Sequence, residues 1–219
     1  MDDSVLAAMA RWPNVPAVTG WLSLTPTGQW HLHENGAALP VHPGSEPDRG
    51  SPITSTQIVQ FIQRNYSHDT QGRWFFQNGP QRVYVRLDAA PLILRTTRNT
   101  TTGSLALQAH TGQHVSRIDA WWLDDNGRLF AQTDLGPALV AGRDMAELLD
   151  HLETPDGRAF TDLELPGSEP GRTAPNTPTS TALGDHELIV RDHSGPAPLF
   201  YCTAAHIPQA MGFDPHPQA

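Results

Sequence analysis

The residues best equipped for recognition chemistry lie between positions 64 and 98. Six arginines (Arg64, Arg73, Arg82, Arg86, Arg95, Arg98) stand against two acids, Asp69 and Asp88, so the segment is locally +4 in a chain of net charge −9. Tyr66, Trp74, Phe75, Phe76 and Tyr84 are interleaved with them. A guanidinium grips carboxylate or phosphate with two parallel hydrogen bonds, and an aromatic face accepts a planar ring or a cation.

Asn78-Gly79 between two alternating runs predicts a hairpin. With a two-residue turn there, Trp74 pairs with Val83 and Phe75 with Arg82. Because side chains alternate across a strand, Trp74, Phe76, Val83, Val85 and Leu87 form a core face. Arg73, Phe75, Gln77, Arg82, Tyr84 and Arg86 form the other. That second face reads either as a surface for a small anionic ligand or as a solvated face with cross-strand cation–π pairs.

Other chemistries find little support. The chain has no lysine, which excludes a Walker A lysine, a Schiff-base lysine and a lysine general base. Its single cysteine, Cys202, rules out an internal disulfide and a multi-cysteine zinc site. Its apolar neighbours predict a buried, inert thiol. Eleven histidines include no His-Glu-x-x-His. His31 and His33 share a strand face and amount to half a metal site, while His110 and His114 flank a turn. His68-Asp69 is the one acid–base pair worth testing for catalysis, and a turn pair of that kind usually caps backbone groups. No nucleophile elbow and no dinucleotide fingerprint is present. No catalytic residue, cofactor or metal is expected.

The acidic balance argues against non-specific nucleic-acid binding, which needs cations to neutralise phosphates. No run approaches the roughly 18 apolar residues of a membrane helix, and the opening Met1-Asp2-Asp3 lacks the positive charge of a signal peptide. A cytoplasmic protein without a membrane partner is the expectation, and the sequon Asn99-Thr100-Thr101 is then without meaning.

Around this segment the chain is organised as alternating β runs and two helices. Residues 1–9 read as a flexible acidic lead, with Met9 as an alternative start. Trp21–Leu24 and Gln29–His33 predict a hairpin across Thr25-Pro26-Thr27-Gly28. Residues 35–52, rich in Pro and Gly, read as a flexible insertion. Thr54-x-x-Gln57 is a capping-box pattern opening a helix over about 54–66. Leu92–Thr96 and Leu105–Ala109 are further strands. Ile118–Leu123, Leu129–Thr133 and Pro137–Ala141 follow, then a helix over about 143–152. Residues 154–184 read as a flexible Pro/Gly/Ser/Thr linker, and 185–219 as a C-terminal hairpin docking on the second unit, plus a tail.

Three turn-strand segments share a form: Thr25-Pro26-Thr27-Gly28-Gln29, Asp69-Thr70-Gln71-Gly72-Arg73 and Asp124-Asp125-Asn126-Gly127-Arg128. This is either how polar hairpin turns look or the trace of two related units.

Arg11-Trp12-Pro13-Asn14-Val15-Pro16-Ala17-Val18 with Gly20-Trp21-Leu22-Ser23-Leu24 carries a further signal. So do Phe61-Ile62-Gln63-Arg64-Asn65-Tyr66, the run Gly72–Val85 and the ending Ile207-Pro208-Gln209-Ala210-Met211-Gly212-Phe213. Together they resemble a proteobacterial family of unknown function, domain-of-unknown-function family 2946 or a neighbour of it. The resemblance implies a start at Met9 and dispensable loops at 35–52 and 166–184. In element order the chain is also similar to a second bacterial unknown-function family, described as a domain duplication with a pleckstrin-like second half. That resemblance implies a nucleotide-like ligand and a signalling role; it transfers no site residue.

The sequence therefore predicts an α+β fold. It has two related β-rich units, about 10–110 and 111–203, each with one amphipathic helix and mostly antiparallel sheets. The functional expectation is a non-enzymatic module binding a small anionic, nucleotide-like ligand at Arg73, Phe75, Gln77, Arg82, Tyr84 and Arg86. The alternatives are a protein–protein adaptor and an enzyme of unfamiliar mechanism.

Overall fold

A computed structural model describes residues 1–39, 48–98, 103–163, 181–191 and 195–219, with the backbone alone for 181–186. The chain is α+β and divides into two compact units, 1–91 with 212–219, and 92–211.

The first unit opens with helix α1 (Asp3–Arg11). The expected frayed lead is thus helical, because Val5 buries its side chain and the Asp2 carboxylate takes hydrogen bonds from Arg64. Strands β1 (Val18–Leu24), β2 (Trp30–Leu32) and β3 (Ser51–Pro52) follow, then helix α2 (Thr56–Arg64) and strands β4 (Tyr66–His68), β5 (Trp74–Asn78) and β6 (Gln81–Leu87). They form one six-stranded sheet in the order β3-β2-β1-β6-β5-β4. Helix α2 starts after Ser55 rather than at the Thr54 capping box, and no side chain caps it. Its Ile62 is buried, and Phe61 meets Phe76 of β5 edge-to-face at 5.6 Å.

The second unit contains β7 (Leu92–Arg98), β8 (Leu105–Ala109), β9 (Ile118–Asp124), β10 (Leu129–Thr133) and β11 (Gly136–Val140). Helix α3 (Met145–Leu149), β12 (Leu152–Glu153), β13 (Thr181–Val190), β14 (Ala197–Cys202) and helix α4 (Ile207–Met211) complete it. The sheet is eight-stranded, in the order β12-β13-β14-β9-β10-β11-β7-β8. In both sheets most pairings are antiparallel; β1–β6, β9–β14 and β11–β7 are parallel.

The boundary expected near residue 110 therefore falls at 91. Strands β7 and β8 join the second sheet through a parallel pairing with β11, a long-range choice that no local pattern announces. The tail 212–219 returns to the first unit: Asp214 N–H donates to Gly72 O at 3.0 Å and Leu87 N–H to Pro215 O at 2.9 Å. Residues 40–47 of the 35–52 insertion, residues 164–180 of the linker expected over 154–184, and the sequon lie outside the described residues.

The two sheets share a topology. Strands β1-β2-β3, helix α2 and strands β4-β5-β6 assemble in the order 4-5-6-1-2-3, and β9-β10-β11, α3 and β12-β13-β14 do the same. The last strand of each set lies parallel to its first. Register aligns them residue by residue: Leu22 pairs with Leu32 and Val85, as Trp121 pairs with Ala131 and Leu199. The β1–β2 turn at Thr25–Gln29 thus matches the β9–β10 turn at Asp124–Arg128.

The turn resemblance also has its own physics. Asp69 Oδ1 accepts from the backbone amides of Gln71 (3.0 Å) and Arg73 (3.1 Å), and Oδ2 accepts from Arg73 Nε (2.8 Å). Asp124 repeats the pattern with Asn126 (2.9 Å), Arg128 (2.8 Å) and Arg128 Nε (2.7 Å). Gly72 and Gly127 supply the positive φ of +73° and +72° that closes each loop.

Candidate functional site

The first sheet has two contrasting faces. The polar one carries the residues singled out from the sequence. The alternation expected for β5 and β6 holds, but the register differs: Phe75 pairs with Tyr84, Phe76 with Val83, Gln77 with Arg82 and Asn78 with Gln81. Gly79 and Pro80 are the central turn residues. An Asn78-Gly79 turn would have asked Pro80, which has no N–H, to pair with Gln77, whereas Gly79 at φ +57° suits the first central position of a primed turn.

This face is covered rather than open, which corrects the expectation of an outward surface. Phe75, Tyr84 and Arg86 are each 4% exposed and Gln77 is buried. The Tyr84 hydroxyl donates to Asp69 Oδ2 at 3.2 Å. Arg73 donates to Asp69 and, through Nη1, to Gln218 O of the tail at 2.9 Å, and its guanidinium lies 4.7 Å over the Tyr84 ring. Burial pushes the Asp69 carboxyl up, but the hydrogen bonds from Arg73 and Gln71 outweigh it and hold the group below its ordinary value. The Gln77 amide donates to Gly79 O. Arg82 stacks at 4.4 Å over Phe75 and is half-buried.

Arg86 Nε donates to Asp88 (2.8 Å), while Nη1 donates to the carbonyls of Ala38 and Asp48 (2.9 Å for the latter). It fastens two points of the β2–β3 connection to the sheet. Of the catalytic candidates, His68 Nδ1 donates to the Asp69 carbonyl, and the Asp69 carboxylate is engaged by Arg73 and Tyr84.

The same face holds a hydrogen-bond chain that sequence reasoning did not assemble. Ser23 Oγ lies 2.8 Å from His33 Nε2, and His33 Nδ1 donates to Asp48 Oδ2 at 2.9 Å. Its signal was the His31/His33 pair, read as half a metal site. His31 Nδ1 donates instead to Arg49 O at 2.7 Å. No group of metal-ligating side chains forms among the described residues. The hydrogen bond from His33 holds the Asp48 carboxyl below its ordinary value. The order of residue types is that of a hydrolase relay, but the exposure is reversed: Ser23 and His33 are fully buried while the Asp48 side chain is half exposed.

The sister repeat shows that the fold does not require this chain. Ser23 and Arg86 are cross-strand partners in the first sheet; Trp122 and Phe200 hold those positions in the second and stack with ring centroids 4.6 Å apart.

The opposite face carries an open groove of about 670 Å³, between α2 and the β1-β2-β3 half of the sheet. Val18, Leu22, Leu32, Phe76 and Val83 form its floor; Ile58 and Ile62 of α2 form one wall, and residues 51–55 the other. Its polar residues, Ser51, Thr54, Ser55, Asn78 and Gln81, are all uncharged. Trp21, Leu32 and Ile58 are 43%, 46% and 51% exposed. Ile58 recurs with Phe61 and Ile62 at helical spacing, but nothing in that pattern shows that part of the apolar stripe of α2 lacks a partner.

Among the described residues, no helix is long and apolar enough to cross a membrane. Comparison with curated proteins gives no match. Two solved structures are similar. One is a DUF1285 family protein from Silicibacter pomeroyi DSS-3, 16% identical over 72% of this chain and 88% of that one, with a TM-score of 0.45. The other is a DUF1285 family protein from Shewanella baltica OS155, 12% identical over 60% and 91%, with a TM-score of 0.41. Residues 1–218 match the family model described as "Protein of unknown function (DUF2946)", and the chain belongs to that family.

Proposed function

We propose that the protein is a non-enzymatic binding module whose partner presents an uncharged, apolar surface to the groove beside α2. One observation carries this reading: a groove of about 670 Å³ without a single charged lining residue, in a chain of net charge −9, with Trp21, Leu32 and Ile58 left about half exposed. Its volume falls in the range of roughly 300–1,000 Å³ typical of ligand sites. Large apolar side chains held open to water cost free energy that a partner recovers by covering them.

The neutral dye Nile red tests this reading. It should bind saturably with a rise in fluorescence, and Leu32→Asp or Ile58→Asp, both at exposed positions, should weaken binding at least tenfold without unfolding the protein. Binding unchanged in both variants would overturn it.

The anionic-ligand reading of the other face now rests on Arg82, because Arg73 and Arg86 already have carboxylate partners. It predicts that Arg82→Ala abolishes binding of a nucleotide detected by calorimetry. Silence across a panel of nucleotides and acidic metabolites would remove it.

A further inference from the structure

The duplicated topology indicates what the groove takes. In the second sheet the strand equivalent to β3 is β11: Leu32 pairs with Ser51 where Ala131 pairs with Ala138. Ser51 therefore corresponds to Ala138, Pro52 to Leu139, Ile53 to Val140 and Thr54 to Ala141. Beyond β11 the second sheet continues. Strand β7 lies parallel to it, with Leu92, Ile93 and Leu94 buried opposite Ala138, Leu139 and Val140. Two positions on, Thr96 donates to Glu147 of α3, which puts that side of β7 against the helix. Among the described residues β3 is the terminal strand of the first sheet, and the groove between it and α2 lies open.

The hydrogen-bonding groups of that edge match. Ile53 N–H donates to Trp30 O at 2.8 Å, so Ile53 turns its backbone toward β2. By alternation, the Pro52 carbonyl and the Thr54 amide point to the free edge. Their counterparts are the Leu139 carbonyl and the Ala141 amide, and Ala141 N–H donates to Leu94 O at 2.9 Å. A parallel partner residue donates to one carbonyl and accepts from the amide two residues on; an antiparallel partner exchanges both bonds with one residue. Pro52 has no N–H, so it serves the parallel arrangement and cannot anchor an antiparallel one.

We propose that β3 accepts a parallel extended peptide strand from a partner protein, with aliphatic side chains at alternate positions entering the groove beside α2, as β7 sits on β11. The inference rests on the groove reading above and adds the chemical class of the partner. Main-chain hydrogen bonds supply affinity, and pockets for alternate side chains supply selection. The lining offers no charge, so the inserted side chains are neutral.

The probe is a fluorescein-labelled, end-blocked peptide with the sequence of residues 91–98, followed by anisotropy against the full chain. Saturable binding is expected. A peptide N-methylated at the residue equivalent to Leu94 loses the donor to Pro52 O and should bind at least tenfold more weakly. Thr54→Pro, which removes the edge amide, should do the same to the unmodified peptide. The N-methyl peptide gives this result on unmutated protein, so a folding defect in the variant cannot mimic it. No saturable binding, or binding indifferent to N-methylation, overturns the strand inference. If Nile red still binds in that case, the groove reading survives alone; if neither binds, both fall.

Discussion

The Tyr84 hydroxyl donates to the Asp69 carboxylate across 3.2 Å, beneath the Arg73 guanidinium. One turn aspartate thus closes a hairpin, pairs an arginine and satisfies a buried phenol. Asp69→Ala removes all three and leaves Tyr84 with an unmatched polar atom. The expected cost is roughly 1.5–3 kcal/mol, that of losing charge-assisted hydrogen bonds, read as a lower urea midpoint with unchanged groove binding. A loss under about 0.5 kcal/mol, the range of ordinary surface changes, would contradict the role.

The same group gives a pH dependence of fixed sign. The folded-state value of Asp69 lies below its ordinary 3.8, so its contribution to stability is fully present above that value and lost as pH falls through the folded value. Asp69→Asn cannot titrate. Its stability should therefore fall less steeply than wild type below pH 3.8, a difference measurable by urea titration at several acidic pH values. Parallel curves would refute it.

Gly72 and Gly127 have nearly the same positive φ but different surroundings. A Cβ at Gly72 would lie 2.3 Å from Gly212 O, whereas one at Gly127 meets nothing within 4 Å. Gly127→Ala should cost about 1–2 kcal/mol for the left-handed backbone alone. Gly72→Ala should cost more and release the tail, seen as faster hydrogen exchange at the Leu87 and Asp214 amides. Equal costs would contradict the tail contact.

Ser23→Ala leaves a ring nitrogen of His33 without its buried partner, at a cost of about 1–3 kcal/mol. Nile red binding should be unchanged, because the groove lies on the other face. A change in dye affinity alone, with stability intact, would assign Ser23 to the binding site instead.

Local chemistry made much of this fold readable. The β5–β6 alternation places Trp74, Phe76, Val83 and Val85 on one face and Phe75, Gln77, Tyr84 and Arg86 on the other, and the turn glycines mark most hairpins. What local pattern does not encode is pairing at a distance. Nothing near Leu92–Arg98 shows that it joins β11, and nothing near 212–219 shows that it returns across β5 and β6. That return, with the anchoring at Ala38 and Asp48, turns an apparent anion-binding surface into an interior one. The Ser23–His33–Asp48 chain stayed hidden because its members lie on β1, at the end of β2 and in the following connection. The duplication was visible only as similar turns, because β7 and β8 were assigned to the wrong sheet.

Cys202 provides a clean route to the central claim. It is buried, and burial with the nearby Asp124 and Asp125 pushes its thiol up to about 11, so the native protein should resist thiol reagents and an added surface cysteine should be labelled selectively. The decisive measurement is the emission of bimane attached to an Ile58→Cys variant while Nile red or the 91–98 peptide is titrated in. A saturable change at position 58, absent from a bimane control at exposed Asp119, is the predicted result. A dye that binds with no change at position 58 would place binding elsewhere and contradict the account.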